Sequence, residues 1–253
     1  MELRVLGCSG GVGLELRTTT FLIDSDILID AGTGLGDLSL QQMAQIKHIF
    51  VTHSHLDHIT GIPLLVDTIF EKITEPLVIH AQAETLNALQ THIFNNTIWP
   101  DFSRLPTEAP VLKYQVMTPG ETIDISGRKL EMIQVNHAVA GVGYRVQGDK
   151  GVFAFSGDTT TNDTFWDALN QHDELDLLIV EAAFANADKE LCKIAGHYCP
   201  ELLGSDIKKL KHQPDIYITH NKPGLEKTIL EECKLAISDR TIQPLQGNKL
   251  FTL

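Results

Sequence analysis

Between residues 53 and 58 the chain reads His53-Ser54-His55-Leu56-Asp57-His58, directly after Ile46 to Val51, a run apolar enough to be a buried strand. Three imidazoles and one carboxylate are thus confined to a short turn at the end of a core strand. Imidazole suits zinc, iron and other borderline metals, and aspartate adds a hard anionic oxygen. One tetrahedral ion cannot comfortably take four donors from so tight a loop and keep an open position. Two neighbouring ions, each using part of the run, satisfy the geometry.

Two ions need further donors, and three other strand patterns end in one. His137 follows Lys129 to Val135, Asp158 follows Val152 to Phe155 in the turn Ser156-Gly157-Asp158, and His220 follows Ile216 to Thr219. Each is a ligand candidate deliverable to one sheet edge. A carboxylate such as Asp158 can bridge two cations, one oxygen facing each. A single histidine after a strand is ordinarily a surface or hydrogen-bonded residue; the hexad together with three strand-end donors outweighs that reading. His48, His80, His92, His172 and His212 lack the pattern and read as surface or packing residues.

The remainder of the 253 residues carries no Pro/Ser-rich linker, repeat or low-complexity stretch, so one domain spanning 1–253 is expected. Thr20 to Ile23 and Ile27 to Ile29 flank Asp24-Ser25-Asp26 as a hairpin. Further strands are expected at Leu3–Leu6, Leu77–His80, Val111–Met117, Thr122–Ile125, Gly143–Val146 and Leu177–Val180, and a last hairpin around Gly247-Asn248. Helices are expected at Leu38–Ala44, Ile59–Phe70, Glu84–Ile93, Phe165–Asn170, Glu201–Leu210 and Leu225–Ala236. Strand meanders with helices inserted between and after them imply two sheets covered outside by helices, not a regular parallel β/α alternation.

Hydrophobic content of 43% and charged content of 21% are those of an ordinary globular chain. No apolar run approaches the ~18 residues of a membrane span, and Met1 to Arg4 lacks a signal peptide's basic start, so no membrane association is expected. The four cysteines, Cys8, Cys192, Cys199 and Cys233, form no C-x-x-C pair, which points to reduced thiols and a cytoplasmic protein. Thirty-three acidic against 20 basic residues give a net charge of −13, a field that disfavours DNA or RNA as partners. A small anionic substrate stays admissible because metal charge dominates locally.

The order Asp30, His53/His55/Asp57/His58, His137, Asp158, His220 resembles the metallo-β-lactamase superfamily. The resemblance implies an α/β layered fold, an αββα sandwich with metals at one edge. It also implies one ion held by His53, His55 and His137, a second held by Asp57, His58 and His220, Asp158 bridging, and Asp30 orienting a ligand. More narrowly, His53-Ser-His-Leu-Asp-His-Ile-Thr-Gly-Ile-Pro63 is similar to the signature of class II cyclic-nucleotide phosphodiesterases. Ile93–Asn96, Trp99–Phe102, Phe155–Thr159 and Thr219–Gly224 extend that likeness.

A phosphodiesterase of this kind would carry two divalent ions, zinc first and manganese or iron as substitutes. Ions lower the pKa of bound water from about 15.7 to about 7, so a metal-bridging hydroxide would open 3′,5′-cyclic AMP to 5′-AMP. His197 could protonate the leaving oxygen with Glu181 orienting it, or Glu181 could cap a strand and His197 a helix. Asp57 could also hold the nucleophile. Trp99 or Phe102 could stack on a base, core packing or a homodimer contact within 95–110 being the plainer reading. Lys222 could contact phosphate or simply be solvated. Gly7 to Gly13 lacks a phosphate-loop signature and reads as active-site wall. Two alternatives stay open: a tRNA 3′ endonuclease of the same superfamily, and a di-iron oxygen-binding or sensor protein that hydrolyses nothing. A lactonase or thioester hydrolase also fits the metal site alone.

Overall fold

The strands of this chain are short and apolar on both faces, which requires cover on both sides of each sheet. A computed structural model, describing residues 1–253, shows how that cover is arranged. One sheet is built from β1 (Glu2–Gly7), β2 (Thr20–Ile23), β3 (Ile27–Ile29), β4 (His48–Phe50), β5 (Leu77–Ala81) and β6 (Leu112–Val116). The other is built from β7 (Thr122–Ile125), β8 (Arg128–Gln134), β9 (Val142–Gln147), β10 (Val152–Phe155), β11 (Leu177–Glu181), β12 (Asp215–Thr219) and β13 (Ile242–Pro244). The chain then returns to the first sheet, where β14 (Leu250–Thr252) pairs with β1. The orders are β14-β1-β2-β3-β4-β5-β6 and β13-β12-β11-β10-β9-β8-β7. In each sheet the hairpin-linked strands pair antiparallel, while β3 to β6 and β10 to β13 pair parallel.

Alternation sorts each strand's side chains between two cores. Ile27 and Ile29 face the second sheet while Leu28 faces outward; Phe153 and Phe155 face inward while Val152 and Ala154 face outward. The inner core, with Phe21, Phe50, Tyr144, Phe153 and Phe155, joins the sheets. Outside the first sheet lie α1 (Leu40–Met43), α2 (Leu56–Ile59), α3 (Gly61–Thr68) and α4 (Ala83–Ala88), Ile59, Ile62, Leu65 and Val66 filling that core. Outside the second lie α5 (Thr164–Leu169), α6 (Lys189–Ala195), α7 (Pro200–Asp206) and α8 (Glu226–Ala236), with Trp166, Leu203 and Ile229 buried. The layers run helix, sheet, sheet, helix: the expected αββα sandwich. No helix is long and apolar enough to cross a membrane.

Three sequence expectations need correction. The residues on either side of Gly247-Asn248 form no hairpin, because β13 joins one sheet and β14 the other. The helix expected over Ile59–Phe70 is broken at Thr60, which ends α2 and starts α3. Helix α6 has no counterpart in the sequence reading; its exposed Leu191 and Ile194 blur the apolar stripe that would have marked it.

Candidate metal centre

The parallel strands of both sheets end at one rim, the crevice where open α/β sheets place their ligands. Asp30 follows β3, the 53–58 run follows β4, Asp158 follows β10, Glu181 closes β11 and His220 follows β12. His137 comes from the turn after β8. One donor atom each from His53, His55, His137 and Asp158 lies within 4.8 Å of the others. The same holds for Asp57, His58, Asp158 and His220. Asp158 belongs to both clusters, and also to a third with Glu181 and His197. Every residue that the resemblance assigned as a ligand is thus gathered at one place.

The backbone is bent to achieve this. Asp30 and His220 adopt left-handed conformations with φ of 56° and 60°, a conformation uncommon outside glycine that is typically found where function over-determines the fold. Gly157, beside Asp158, has φ of 60°, and a side chain there would meet the Val142 carbonyl.

Four imidazoles are turned the same way by hydrogen bonds to Nδ1. His58 Nδ1 donates to Asp30 Oδ2 at 2.6 Å. His137 Nδ1 donates to the Gly196 carbonyl at 2.8 Å. His53 Nδ1 meets Thr52 Oγ1 at 3.0 Å, and that hydroxyl in turn donates to Asp30 Oδ2 at 2.8 Å. His220 Nδ1 meets Thr19 Oγ1 at 3.5 Å. Locking Nδ1 as the protonated nitrogen leaves Nε2 with its lone pair, as a metal ligand requires. His55 is the exception, presenting Nδ1 toward His137 Nε2 at 3.2 Å.

The donor set fits a pair of divalent ions. His53 Nε2, His58 Nε2 and Asp158 Oδ1 are buried and have no hydrogen-bond partner, a costly condition for polar atoms in a protein interior. Asp158 Oδ2 lies 3.3 Å from His58 Nε2, 3.3 Å from His220 Nε2 and 3.6 Å from His53 Nε2, and Asp57 Oδ2 lies 3.7 Å from both His58 and His220 Nε2. Two ligands each ~2.0–2.1 Å from one tetrahedral ion stand about 3.4 Å apart. His53, His58, Asp158 and His220 are buried, whereas His55, Asp57 and His137 are half-exposed and open the centre to solvent.

The electrostatics of four of the five histidines agree with that reading. Burial and the neighbouring His58 push the His53 imidazole well below its usual range, burial does the same to His55 and His137, and burial lowers His220 to about 4. These rings are neutral at pH 7, the form that coordinates. Burial alone would raise Asp158, but His220, His58 and His53 around it hold its carboxyl well below the usual carboxylate range. His58 departs from that pattern: Asp158 and Asp30 on its two sides outweigh burial and raise it well above its ordinary value, so a cation would have to displace its Nε2 proton.

Glu181 and His197 stand beside the clusters. The fully buried Glu181 accepts hydrogen bonds from the backbone N–H of Thr159 (2.9 Å), Ala183 (2.9 Å) and Tyr198 (3.3 Å), and from His197 Nδ1 at 2.7 Å. His197 caps no helix: Gly196 ends α6 and Cys199 begins α7. Burial raises Glu181, and Glu181 outweighs burial to raise His197. Lys222 sends Nζ to the Gly10 carbonyl at 3.2 Å and over the Phe184 ring at 5.7 Å from its centroid.

Trp99, a candidate for stacking on a base, is half-buried and packs against the first outer core, and Phe102 is buried within it, the plainer of the two readings for both. Thr19, Thr52 and the Gly196 carbonyl were missed in the sequence; only Thr52, next to His53, carried a signal there.

The comparisons agree with the fold. Residues 25–220 match the family model described as "Beta-lactamase superfamily domain", and the chain belongs to that superfamily, with the metallo-β-lactamase fold. Its relatives carry several names. A "Probable 3',5'-cyclic-nucleotide phosphodiesterase" of Yersinia pestis is 27% identical over 242 residues, covering 86% of this chain and 68% of that protein. A "Ribonuclease Z" of Haloarcula marismortui is 32% identical over 166 residues, covering 60% of this chain and 50% of its own length. Among solved structures, unliganded yeast PDE1 superposes with a TM-score of 0.83 at 20% identity, covering 100% of this chain and 99% of its own.

Proposed function

We propose that this chain is a metal-dependent phosphodiesterase that hydrolyses 3′,5′-cyclic nucleotides, cyclic AMP to 5′-AMP among them. The observation that carries the reading is Asp158, shared by two donor clusters with the Glu181–His197 pair in the same neighbourhood. Likeness to proteins named cyclic-nucleotide phosphodiesterases supports the substrate, among them one of Aliivibrio fischeri at 24% identity over 310 residues, covering 97% of this chain and 91% of that protein.

Two divalent ions, zinc first and manganese or iron as substitutes, would be held by His53, His55 and His137 and by Asp57, His58 and His220, with Asp158 between, supplying positive charge at the phosphate and a water ionised near neutral pH. Asp57, half-exposed at the mouth, accepts a hydrogen bond from the attacking water and aims it at phosphorus. Attack forms the new P–O bond as the bond to the ribose 3′ oxygen breaks. His197, gripped through Nδ1 by Glu181, gives its Nε2 proton to that departing oxygen. Lys222 adds a cation on the substrate side. Asp30, Thr52, Thr19 and the Gly196 carbonyl hold the histidine rings in place throughout.

The test is turnover by zinc- or manganese-loaded protein of cyclic AMP, cyclic GMP, a 2′,3′-cyclic nucleotide and a precursor tRNA side by side. Cyclic AMP is expected to give 5′-AMP, with Asp158→Ala inactive. Absence of turnover of both 3′,5′-cyclic nucleotides defeats the substrate assignment. Cleavage of the tRNA instead would favour the second reading, which rests on the local 32% identity to ribonuclease Z. A net charge of −13 counts against that polyanionic substrate.

A further inference from the structure

Aromatic rings are scarce in this chain, 6% of residues, and nearly all are spent on packing. Every phenylalanine, tyrosine and tryptophan but one lies within one of the three cores or packs against one. The exception is Phe184. Its ring is partly exposed, 5.7 Å from the His197 ring at an interplanar angle of 56°. Lys222 Nζ stands over the ring, 5.7 Å from its centroid.

The backbone that carries the ring is also held. The Ala183 N–H before it donates to Glu181 Oε2 at 2.9 Å, and the Phe184 N–H reaches the Tyr198 carbonyl at 3.4 Å. Lys222 is tied to the same segment, its backbone N–H donating to the Ala183 carbonyl at 3.0 Å and its Nζ to the Gly10 carbonyl at 3.2 Å. A ring that packs no core, stands on an anchored backbone and adjoins the group assigned to the departing oxygen is a surface kept for a ligand. A flat π face favours another flat π system, and a neighbouring cation favours the ring acceptors and negative charge of a nucleotide.

We propose that Phe184, with Lys222 beside it, is the platform on which the substrate's nucleobase stacks. This deepens the phosphodiesterase reading and rests on it. A nucleotide's base stands one sugar's length from its phosphorus, and Phe184 adjoins His197, which shares a donor cluster with Asp158. The platform makes the site selective for phosphodiesters that carry a base over those that carry none.

The test compares kcat/KM of the zinc-loaded protein on cyclic AMP with that on the cyclic phosphate of methyl riboside, which lacks the base. Phe184→Leu is expected to reduce the preference for cyclic AMP about tenfold, and Phe184→Tyr to keep it. An unchanged preference in Phe184→Leu, or an equal fall in Phe184→Tyr, overturns the proposal. A second arm measures binding of 5′-AMP and ribose 5-phosphate to the same zinc-loaded proteins, which requires no turnover. Tighter binding of 5′-AMP that disappears in Phe184→Leu sustains the platform even if neither cyclic phosphate is hydrolysed, in which case the phosphodiesterase reading alone fails. Equal binding of the two ligands by the unsubstituted protein overturns the platform.

Discussion

Asp30 binds no ion in this scheme, yet it governs three groups that do or that steady them. Its carboxylate accepts from the Thr52 backbone N–H at 2.8 Å, from the Thr52 hydroxyl at 2.8 Å and from His58 Nδ1 at 2.6 Å, while it is itself fully buried. Removing the charge and keeping the shape should misorient His58 and weaken its basicity. Asp30→Asn is expected to reduce zinc affinity about 10- to 100-fold, measured by competition with a chromophoric chelator. His197→Ala should behave differently, lowering kcat on cyclic AMP about 10²- to 10⁴-fold while zinc content is retained. That loss should shrink on a p-nitrophenyl phosphodiester, whose leaving group needs no proton; an equal loss on both substrates would reject the acid role. The clustering of the donor residues was legible in the sequence because they are chemically distinctive and sit at strand ends. Thr19 and the Gly196 carbonyl were not legible, since only tertiary proximity gives an ordinary hydroxyl or peptide oxygen a task. Only the packing of every other ring singles out Phe184.

At the level of elements, continuous apolar runs marked most strands correctly. In Ile27-Leu28-Ile29, however, no alternation shows which face meets which layer, because both faces are covered. Sheet membership was hidden for the same reason, and the final two strands were paired with each other when each closes a different sheet. Helix α3 shows how packing serves the site. Its first turn abuts Ala31, since a side chain on Gly61 would meet the Ala31 and Gly32 carbonyls, and Gly61 N–H donates to the Ala31 carbonyl at 2.7 Å. Ile62, fully buried, anchors that turn in the outer core. Ile62→Ala is expected to destabilise the fold by about 2–5 kcal/mol, read as a fall in the urea midpoint with unchanged m-value.

Over the whole molecule, two features set the conditions of stability. Ions bound only by the folded state add stability as RT ln(1 + [L]/Kd), about 2.7 kcal/mol at a hundredfold excess over Kd. Chelation should therefore lower the melting temperature by about 5–10 °C for a chain of this size, measured by calorimetry with and without EDTA. The second feature lies away from the metals. His80 is buried, stacks on Phe50 with centroids 4.3 Å apart, and shares a 3.0 Å hydrogen bond between its Nε2 and His48 Nδ1. Burial, with His48 beside it, lowers its pKa to about 4. The unfolded chain takes up this proton near pH 6.5 and the folded chain only near 4, so His80 destabilises the fold progressively as pH falls through that window. The change amounts to about 3 kcal/mol and is absent above pH 7. His80→Phe should flatten the urea-midpoint profile between pH 6.5 and 4; an unaltered profile would assign the acid sensitivity elsewhere.

The return of the chain from β13 to β14 has a further consequence. Within a dozen residues it hems both layers of the sandwich, covering the outer border of β12 on one side and of β1 on the other. Cutting the chain after Ile237 would bare two unpaired strand borders in one stroke, each a template for another molecule's backbone. Such a shortened protein should be lost to clumping before its chemistry has had a chance to change.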